Sequence, residues 1–306
     1  MMWLMFLLSG LGLLQQEGEN QEVYRFEVQV RTVYLDVFVT QAGEPVKGLV
    51  AENFEVMDNG VRQQVKLLDH SDLPLATMLL LDVSGSVEGS KLEQLRAAAH
   101  AFVEGLDPED EVGLLTFTRR MQLRMEPSSN FAALHRVLLE PTEQGNTSLH
   151  DALYTGLKLV EARGGRPLVV LFTDGLDNMS WLDELEVLEV LKESDVVVYA
   201  VAVEPGMGVA VRRGGRSIRG QVLLEAKEYL NSVTGLTGGR VFHIDPGANF
   251  TEIFLRVLTE MESRYLLSYE PTGVALEGWH ELEVDLKVDE ADGIRARPGY
   301  LVRPGR

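Results

Sequence analysis

Four short apolar runs, separated by helical patterns, constrain the fold of the middle of this chain more than any other feature. The runs are rich in aliphatic and β-branched residues, and they cover Leu75–Leu81, Val112–Phe117, Pro167–Thr173 and Val196–Val203. Strands without polar alternation are buried on both faces, which is typical of a parallel sheet whose strands are connected by helices. The sequence therefore predicts a doubly wound α/β domain with helices on both faces of a mostly parallel sheet.

Between these runs, apolar residues recur at helical spacing, and polar residues mark where helices begin. Ser90 and Glu93 have the spacing of a capping box, and so do Asn249 and Glu252. Ser148 stands where it can cap a third helix. We therefore expect helices to begin at these three places.

The two ends of the chain carry a different pattern, in which apolar and polar residues alternate as they do in half-buried strands. The alternating apolar positions include Val33, Leu35, Val37 and Val39 near the start, and Leu282, Val284, Leu286 and Val288 near the end. Each flank is too short to bury a core alone, so we expect the two to pair into one small β-sandwich. The predicted boundaries are 1–20 for a signal peptide, 21–72 and 264–306 for the sandwich, and 73–263 for the α/β domain. Asp58-Asn59-Gly60 predicts a hairpin turn in the first flank.

Composition limits the chemistry that this chain of 306 residues can carry out. The formal net charge is −19, and an acidic surface repels phosphate backbones, so we expect no nucleic acid partner. Cysteine is absent, which excludes disulfides, thiol nucleophiles and thiolate metal sites. The six histidines show no ligand spacing. Oxygen ligands are therefore the chemistry that the sequence favours.

The first 14 residues, MMWLMFLLSGLGLL, carry no charge. As a helix this stretch covers roughly 21 Å, which is less than the ~30 Å hydrocarbon core of a membrane. It fits the apolar core of a secretory signal peptide, with Gly10 and Gly12 near a cleavage site, although the usual preceding basic residues are missing. We expect export to the periplasm, the cell surface or the medium. A start-site artefact or a buried N-terminal segment is the alternative.

One of the apolar runs leads directly into acidic and hydroxyl residues. In the stretch LLLDVSGSVEGSK, residues 79–91, Asp82 follows the run, and Ser84 and Ser86 stand at alternate positions around Gly85. Ligands of doubly wound sheets bind at the carboxyl ends of strands. Convergent carboxylate and hydroxyl oxygens suit Mg²⁺, Mn²⁺ or Ca²⁺. The alternative is a loop whose polar side chains only cap the following helix.

Two later segments complete a family pattern. In GNTSLHDAL, residues 145–153, Thr147 stands just before a helix, and in VVLFTDGLDN, residues 169–178, Asp174 follows a buried strand. With the D-x-S-x-S stretch before them, residues 75–262 resemble the von Willebrand factor type A (VWA) domain. The flanks and the final RARPGYLVR resemble those of bacterial exported relatives. The resemblance implies a six-stranded sheet and a metal-ion-dependent adhesion site formed by Asp82, Ser84, Ser86, Thr147 and Asp174.

The resemblance also implies how such a site works. The two serines coordinate the cation directly, Thr147 directly or through water, and the two aspartates mostly through water. A cation with few direct negative ligands stays electrophilic, and Mg²⁺ readily keeps an exchangeable position, with Mn²⁺ and Ca²⁺ as alternatives. The resemblance therefore implies a protein partner that presents an Asp or Glu carboxylate to the metal.

Further charged residues stand beside these motifs in the sequence. Asp151 and Asp177 are expected either to support the metal from outside its ligand sphere or only to cap a helix and face water. An arginine segment, residues 206–220, contains no acid and carries Arg212, Arg213, Arg216 and Arg219. It follows the last apolar run, so it leaves the sheet at the carboxyl edge. We expect either a solvated loop or a basic rim that attracts an acidic partner.

Three functional classes are compatible with a chain of this kind to different degrees. An exported, metal-dependent protein-binding module of the adhesion type is the primary interpretation. An intracellular VWA adaptor that works with an ATPase or a multiprotein complex is the alternative, and the apolar N-terminus argues against it. Catalysis is not expected, because D-V-S-G-S differs from the G-x-S-x-G nucleophile elbow, and the sequence places no histidine to serve as its base.

Overall fold

The computed structural model describes residues 32–69, 73–84, 89–140, 145–203, 212–213, 216–217, 219–244, 248–288 and 291–304. These residues belong to one compact unit. The predicted signal peptide, residues 1–20, lies outside the described residues, and so does Ser86. In the part of the chain that the structure describes, no helix combines the length and the apolar character needed to cross a membrane.

Strands dominate both ends of the chain, and strands alternate with helices in the middle. The strands are β1 (Val33–Gln41), β2 (Glu44–Pro45), β3 (Phe54–Asp58), β4 (Val61–Gln63), β5 (Lys66–Leu68), β6 (Leu75–Asp82), β7 (Glu111–Phe117), β8 (Met121–Ser128), β9 (Arg166–Thr173), β10 (Val197–Val203), β11 (Arg212–Arg213), β12 (Arg216–Ser217), β13 (Val241–Ile244), β14 (Tyr265–Tyr269), β15 (Gly278–Leu286), β16 (Gly293–Arg295) and β17 (Gly299–Val302). The helices are α1 (Ser90–Glu104), α2 (Phe131–Leu138), α3 (Leu149–Glu161), α4 (Glu184–Glu193), α5 (Arg219–Leu236) and α6 (Phe250–Glu262), and a 3₁₀ turn covers Ala51–Asn53.

The middle of the chain forms a six-stranded sheet in the order β13-β10-β9-β6-β7-β8. Neighbouring strands are parallel except β7 and β8, which are antiparallel. The predicted doubly wound, mostly parallel sheet is confirmed, and the four apolar runs correspond to β6, β7, β9 and β10. The sequence did not locate β8 and β13, which are the two edge strands.

Helices cover both faces of this sheet. Helices α1, α2 and α6 contribute to the core on one face, and α3, α4 and α5 contribute to the core on the other. Strand β6 alternates between the two cores: Leu79 and Leu81 belong to the first, and Met78 and Leu80 to the second. Because every residue of β6 is buried, this strand has no wet face and its sequence shows no polar alternation.

The two ends of the chain pair into two antiparallel sheets. One has the order β16-β1-β14-β5, with β2 paired to β1, and the other has the order β17-β15-β3-β4. Both sheets combine strands from both flanks, and their apolar faces share a core that includes Leu35, Val56, Leu267 and Leu282. The predicted β-sandwich of the N- and C-terminal flanks is therefore confirmed. The exact domain limits of 21–72, 73–263 and 264–306 stay predictions.

The turn predicted at Asp58-Asn59-Gly60 joins β3 and β4. Asn59 and Gly60 have φ angles of 47° and 73°, the left-handed values expected of a two-residue hairpin loop. Asp58 is fully buried, and its carboxylate accepts hydrogen bonds from the hydroxyls of Tyr269 and Tyr300, each at 2.8 Å. The bond to Tyr269 of β14 therefore links the two sheets, whereas Tyr300 of β17 lies in the same sheet as Asp58.

Buried arginines join the sandwich to the α/β domain at the amino ends of the parallel strands. Arg166, the first residue of β9, has its Nη2 atom 2.5 Å from Oδ1 of Asp36 on β1. Arg264, directly before β14, is only 1% exposed and donates to the Tyr199 hydroxyl at 3.1 Å. The sandwich is therefore attached at the edge of the sheet opposite to the carboxyl ends of its strands.

Candidate functional site

Four of the five predicted ligands lie at the carboxyl edge of the six-stranded sheet. Asp82 is the last residue of β6 and Ser84 follows it, while Asp174 comes directly after β9. Because β6 and β9 pair in parallel, the two aspartates leave the sheet on adjacent strands. Thr147 stands in the loop before α3. The fifth residue, Ser86, lies outside the described residues.

Asp82 is a fully buried carboxyl group. Its Oδ1 accepts a hydrogen bond from the Ser84 main-chain N–H at 2.9 Å, and its Oδ2 accepts one from the Thr173 hydroxyl at 3.0 Å. Burial raises the pKa of Asp82 to about 7, and the negative charge of Asp174 contributes to the same shift. These hydrogen bonds favour the ionised form, but they do not offset the two effects that oppose it.

Asp174 is held by a tight turn at the end of β9. Its Oδ1 accepts from the Leu176 N–H at 3.1 Å, and the Gly175 N–H donates to the Thr173 hydroxyl at 3.0 Å. Gly175 has a φ of 78°, a left-handed conformation that favours glycine. A side chain here would also approach Leu230 of α5 to 3.1 Å. The turn that presents Asp174 therefore requires glycine at position 175.

Thr147 is fixed to the loop that follows Asp174. Its main-chain N–H donates to the Asn178 side chain at 3.0 Å, and its carbonyl accepts from the N–H groups of Asn178 and Met179, both at 3.1 Å. These bonds involve the main chain of Thr147 and not its hydroxyl. Thr147 is 5% exposed. The loops after β9 and before α3 are therefore held together as one unit at this edge.

Asp177 caps helix α3 from another part of the chain. Its carboxylate accepts from the N–H of Leu149 at 2.7 Å and from that of His150 at 3.3 Å. Ser148 occupies the N-cap position, but its side chain makes no capping bond, and its hydroxyl donates to the Arg119 carbonyl at 3.4 Å. The prediction that the Ser148 side chain caps this helix is therefore wrong.

Asp151, on the first turn of α3, holds the segment that follows Asp177. Its two carboxylate oxygens lie 3.1 and 3.0 Å from the Trp181 N–H nitrogen, and one accepts from the Leu182 N–H at 3.0 Å. Asp151 is nearly buried, whereas the Trp181 side chain is 95% exposed. Both Asp151 and Asp177 thus bind main-chain donors, and a metal-supporting role for either stays a prediction.

The backbone of the arginine segment is described in part. Arg212–Arg213 and Arg216–Ser217 pair as the antiparallel hairpin of β11 and β12, and Arg219 begins α5. Helix α5 reaches the turn after Asp174, where Leu230 lies close to Gly175. The basic-rim role of Arg212, Arg213, Arg216 and Arg219 stays a prediction.

The donors at this edge suit a hard divalent cation. The buried side chains of Asp82, Ser84, Thr147 and Asp174 offer carboxylate and hydroxyl oxygens, which are the ligands that Mg²⁺ and Ca²⁺ take in proteins. Burial raises the pKa of Asp82, and the negative charge of Asp174 on the neighbouring strand end adds to this shift. A bound cation would favour the ionised form of Asp82. The residues present fit the divalent cation that the resemblance implies.

The fold and this edge define a class of protein: a doubly wound α/β domain with hydroxyl and carboxylate side chains on three loops at the carboxyl ends of its strands. The family model described as von Willebrand factor type A domain matches residues 77–176. The middle of this chain therefore matches the VWA domain family over residues 77–176. Domains of this family often take part in protein–protein interactions.

Relatives from other organisms match about a third of the chain. An uncharacterized protein of Synechocystis sp. is 30% identical over 109 residues, which are 34% of this chain and 26% of the relative. The bovine inter-alpha-trypsin inhibitor heavy chain H4 is 27% identical over 118 residues, 34% of this chain and 13% of the relative. The chain thus spans about a quarter or less of the length of these relatives.

Solved structures resemble the fold at low identity. A von Willebrand factor type A protein from Catenulispora acidiphila has a TM-score of 0.48 and 10% identity, covering 91% of this chain and 76% of that one. An aerotolerance-related membrane protein from Bacteroides fragilis has a TM-score of 0.46 and 18% identity, covering 61% and 98%. The fold assignment rests on the strand topology of the chain itself and on the family model.

Proposed function

We propose that this chain is a metal-dependent protein-binding module of the adhesion type. A divalent cation, with Mg²⁺ as the expected ion, is held by Asp82, Ser84, Ser86, Thr147 and Asp174. The cation binds an Asp or Glu carboxylate of a protein partner. The observation that carries the proposal is the pair of buried carboxylates at the ends of β6 and β9, because burial and the charge of Asp174 raise the pKa of Asp82 and a bound cation would offset both effects.

The hydrogen bonds at this edge support a division of labour among the ligands. Both oxygens of Asp82 and one oxygen of Asp174 already accept hydrogen bonds from the protein. These carboxylates therefore orient the loops and supply charge, while the hydroxyls are the better candidates for direct coordination. A bound cation supplies the electrophilic position at which a carboxylate from outside binds. Mg²⁺, which retains exchangeable water readily, suits that task.

We infer a binding role and not an enzymatic one. The Ser84 side chain bonds the Asp82 carboxyl, and the D-V-S-G-S sequence differs from a nucleophile elbow. We also propose export, on the basis of the apolar residues 1–14. An intracellular adaptor for an ATPase or a multiprotein complex is the second candidate. Fractionation of cells tests this choice, because a full-length chain in the cytosol supports the adaptor.

Thermal unfolding with and without Mg²⁺, Mn²⁺ and Ca²⁺ tests the metal site. A cation at 100 times its dissociation constant stabilises a fold by about 2.7 kcal/mol, so the melting temperature should rise. The double variant Ser84→Ala plus Asp174→Ala should lose this rise. Asp183→Asn, which removes a carboxylate that caps α4, is the matched control and should keep it. No shift with any of the three cations, or an undiminished shift in the double variant, contradicts the proposal.

Affinity capture in Mg²⁺ and in EDTA tests the partner. Proteins that bind through the metal should be retained with Mg²⁺ and lost with EDTA, and the double variant should capture none of them in either condition. A protein that remains bound in EDTA does not use the metal. Capture of the EDTA-sensitive proteins by the double variant in Mg²⁺ would contradict this part of the proposal.

A further inference from the structure

A second group of metal-ligating side chains lies where helices α1 and α2 meet. His100 and Glu104 stand four residues apart on α1, and His135 stands on α2. One donor atom from each of the three side chains lies within 4.8 Å of the others. The two histidines are 35 residues apart in the sequence, so their spacing along the chain does not indicate a site, whereas the packing of the two helices brings them together.

The geometry of the two imidazoles is close and defined. Their ring centroids are 3.7 Å apart with an angle of 28° between the planes. Nδ1 of His100 lies 3.4 Å from Oε1 of Glu104. Nδ1 of His135 is buried and has no hydrogen-bond partner among the described residues. A buried nitrogen without a partner is costly, and metal coordination is one interaction that an imidazole nitrogen can make.

The helices hold these side chains in place before any ion binds. Leu134 and Leu138, on either side of His135, are buried in the core that α2 shares with α1. Arg96, one turn before His100, donates from Nη2 to the Glu140 carbonyl just beyond α2, at 2.9 Å. Donors on packed helices are better pre-organised than donors on loops. The three side chains are therefore close enough to bind one ion, although at least one of the stacked imidazoles must turn, because an imidazole nitrogen binds a metal in the plane of its ring.

We propose that His100, Glu104 and His135 form a binding site for a divalent transition metal, with Zn²⁺ as the expected ion. Two imidazole nitrogens and one carboxylate oxygen are a common three-residue set for Zn²⁺, and the fourth position is left for water. Mg²⁺ prefers oxygen ligands, so this site and the carboxyl-edge site differ in chemistry. Ten residues of α1, about 15 Å of helix, separate His100 from the start of this helix, which follows the loop that contains Ser84. The proposal does not depend on the proposed function.

A bound ion would act as a clamp between two helices. Helix α2 has only eight residues, and its described links to α1 include the Arg96 hydrogen bond, the stacked imidazoles and the shared apolar core. Zn²⁺ coordinated by His135 on one side, and by His100 and Glu104 on the other, adds a direct link between them. We therefore expect bound Zn²⁺ to raise the free energy of unfolding of the chain.

Calorimetric titration of the full chain with Zn²⁺ tests this inference. The protein carries no affinity tag, and excess Mg²⁺ is present so that Zn²⁺ does not report on the carboxyl edge. We expect one Zn²⁺ per chain, and weakening by at least tenfold in each of His100→Gln, His135→Gln and Glu104→Gln, since even changes around a metal's ligands cost about 10–100-fold. His243→Gln, which changes an exposed histidine of β13, is the matched control and should bind as the unmodified chain does.

Two further measurements keep the result unambiguous. The Ser84→Ala plus Asp174→Ala variant should still bind one Zn²⁺, and loss of binding there would place the ion at the carboxyl edge and overturn the inference. In the unmodified chain, Zn²⁺ should shift the imidazole NMR signals of His100 and His135 before those of other histidines. Zn²⁺ binding of unchanged affinity in folded His100→Gln and His135→Gln, or shifts confined to other histidines, would also overturn it.

Discussion

Asp82 is a carboxyl group at the end of a strand that is buried on both faces. The sheet removes water from it, and Asp174 on the next strand adds a negative charge, so its pKa rises to about 7. In the unfolded chain the same group titrates near 3.8. Because the folded state keeps this proton to higher pH than the unfolded state, protonated Asp82 stabilises the metal-free fold at low pH, and this stabilisation is lost as the pH rises from about 4 through about 7.

The first prediction follows from this pKa. The free energy of unfolding of the metal-free protein should fall between pH 4 and pH 7, by at most about 1.4 kcal/mol per pH unit for this one proton. Metal binding favours ionised Asp82, so Mg²⁺ should raise the melting temperature more at pH 8 than at pH 6. Denaturant titrations in EDTA, and melts with Mg²⁺ at both pH values, check these two trends.

Asp82→Asn is the control for this prediction. Asparagine keeps the size of the side chain and cannot titrate. The contribution of this group to the fall in the free energy of unfolding between pH 4 and pH 7 should therefore disappear. The same variant should respond weakly to Mg²⁺ at both pH values. If the free energy of unfolding of Asp82→Asn fell with pH as steeply as that of the unmodified protein, the pH dependence would belong to other groups.

The second prediction concerns Asp177 and its capping of α3. Asp177→Ala leaves the N–H groups of Leu149 and His150 without their acceptor, and should lower the free energy of unfolding by about 1–3 kcal/mol. If the carboxylate acts only as a cap, the loss is equal in Mg²⁺ and in EDTA. Asp183→Ala, which removes the cap of α4, is the comparison. A larger loss in Mg²⁺ than in EDTA for Asp177→Ala alone would give Asp177 the metal-supporting role that the sequence suggested.

At the scale of elements, burial decides which strands a sequence reveals. Strands β6, β7, β9 and β10 lie inside the sheet and form continuous apolar runs that predict them. Strand β8 is an edge strand with mostly half-exposed residues, an irregular register against β7 and a proline, Pro127. Strand β13 has four residues. Edge strands need no second buried face, so their sequences lack the pattern that located the others.

Helix starts show the same dependence on tertiary contacts. Asn249 caps α6 as predicted, with its side chain accepting from Thr251 N–H and donating to Glu252. Helix α1 begins at the predicted Ser90, but the N-cap is Gly89, at a φ of 59°, and no side chain caps it. Helix α3 takes its capping bonds from Asp177, 28 residues downstream of Leu149. Local motifs therefore predicted where these helices begin better than which group caps them.

The third prediction tests how α6 is held against the sandwich. Glu260 of α6 is 4% exposed, and its carboxylate pairs with Arg240 before β13 and with Arg295 of β16. Glu260→Gln leaves these arginines without their counter-charge. We expect the free energy of unfolding to fall by about 3 kcal/mol, the low end for a broken buried pair, because both arginines keep some contact with water.

Glu189→Gln provides the control for Glu260→Gln. Glu189 pairs with Lys192 on the exposed surface of α4, and an exposed pair of this kind contributes about 0.2–1 kcal/mol. The free energies of unfolding of both variants, measured in denaturant at low and high salt, check the difference. Equal losses in the two variants would contradict a supporting role for Glu260 between α6 and the sandwich.

For the whole molecule, the sequence located the candidate site better than the contacts around it. The edge of the sheet, and Asp82, Ser84, Thr147 and Asp174 on it, could be predicted because the strand ends and the motifs are local. The bonds made by Thr173 and Asn178 could not, because they join loops that are far apart in sequence. The His100 and His135 pair escaped prediction for the same reason.

The last prediction concerns the sandwich that the two ends of the chain build together. Strand β1 pairs with β14 along Val33–Val37 and with β16 along residues 38–40, and β3 pairs with β15. A chain that ends at Glu262 lacks all three of these partners. The sandwich pairings that remain, β1 with β2 and β3 with β4, are two-stranded hairpins, which are marginal in water. The buried side chains of Val33, Leu35 and Val37 would then face solvent.

We therefore expect the main-chain amides of Val33–Val39 to exchange with solvent in this shortened chain nearly as fast as in an unfolded peptide. Amides of β6 and β9, which take their hydrogen bonds from the parallel sheet, should stay protected for longer. A chain that ends at Pro304 keeps every strand through β17 and is the matched control. Hydrogen exchange followed by mass spectrometry measures these amides in the unmodified protein and in both shortened chains. If truncation at Glu262 left the exchange of Val33–Val39 unchanged, the first flank would be stable by itself, and the pairing of the two ends would contribute nothing to it.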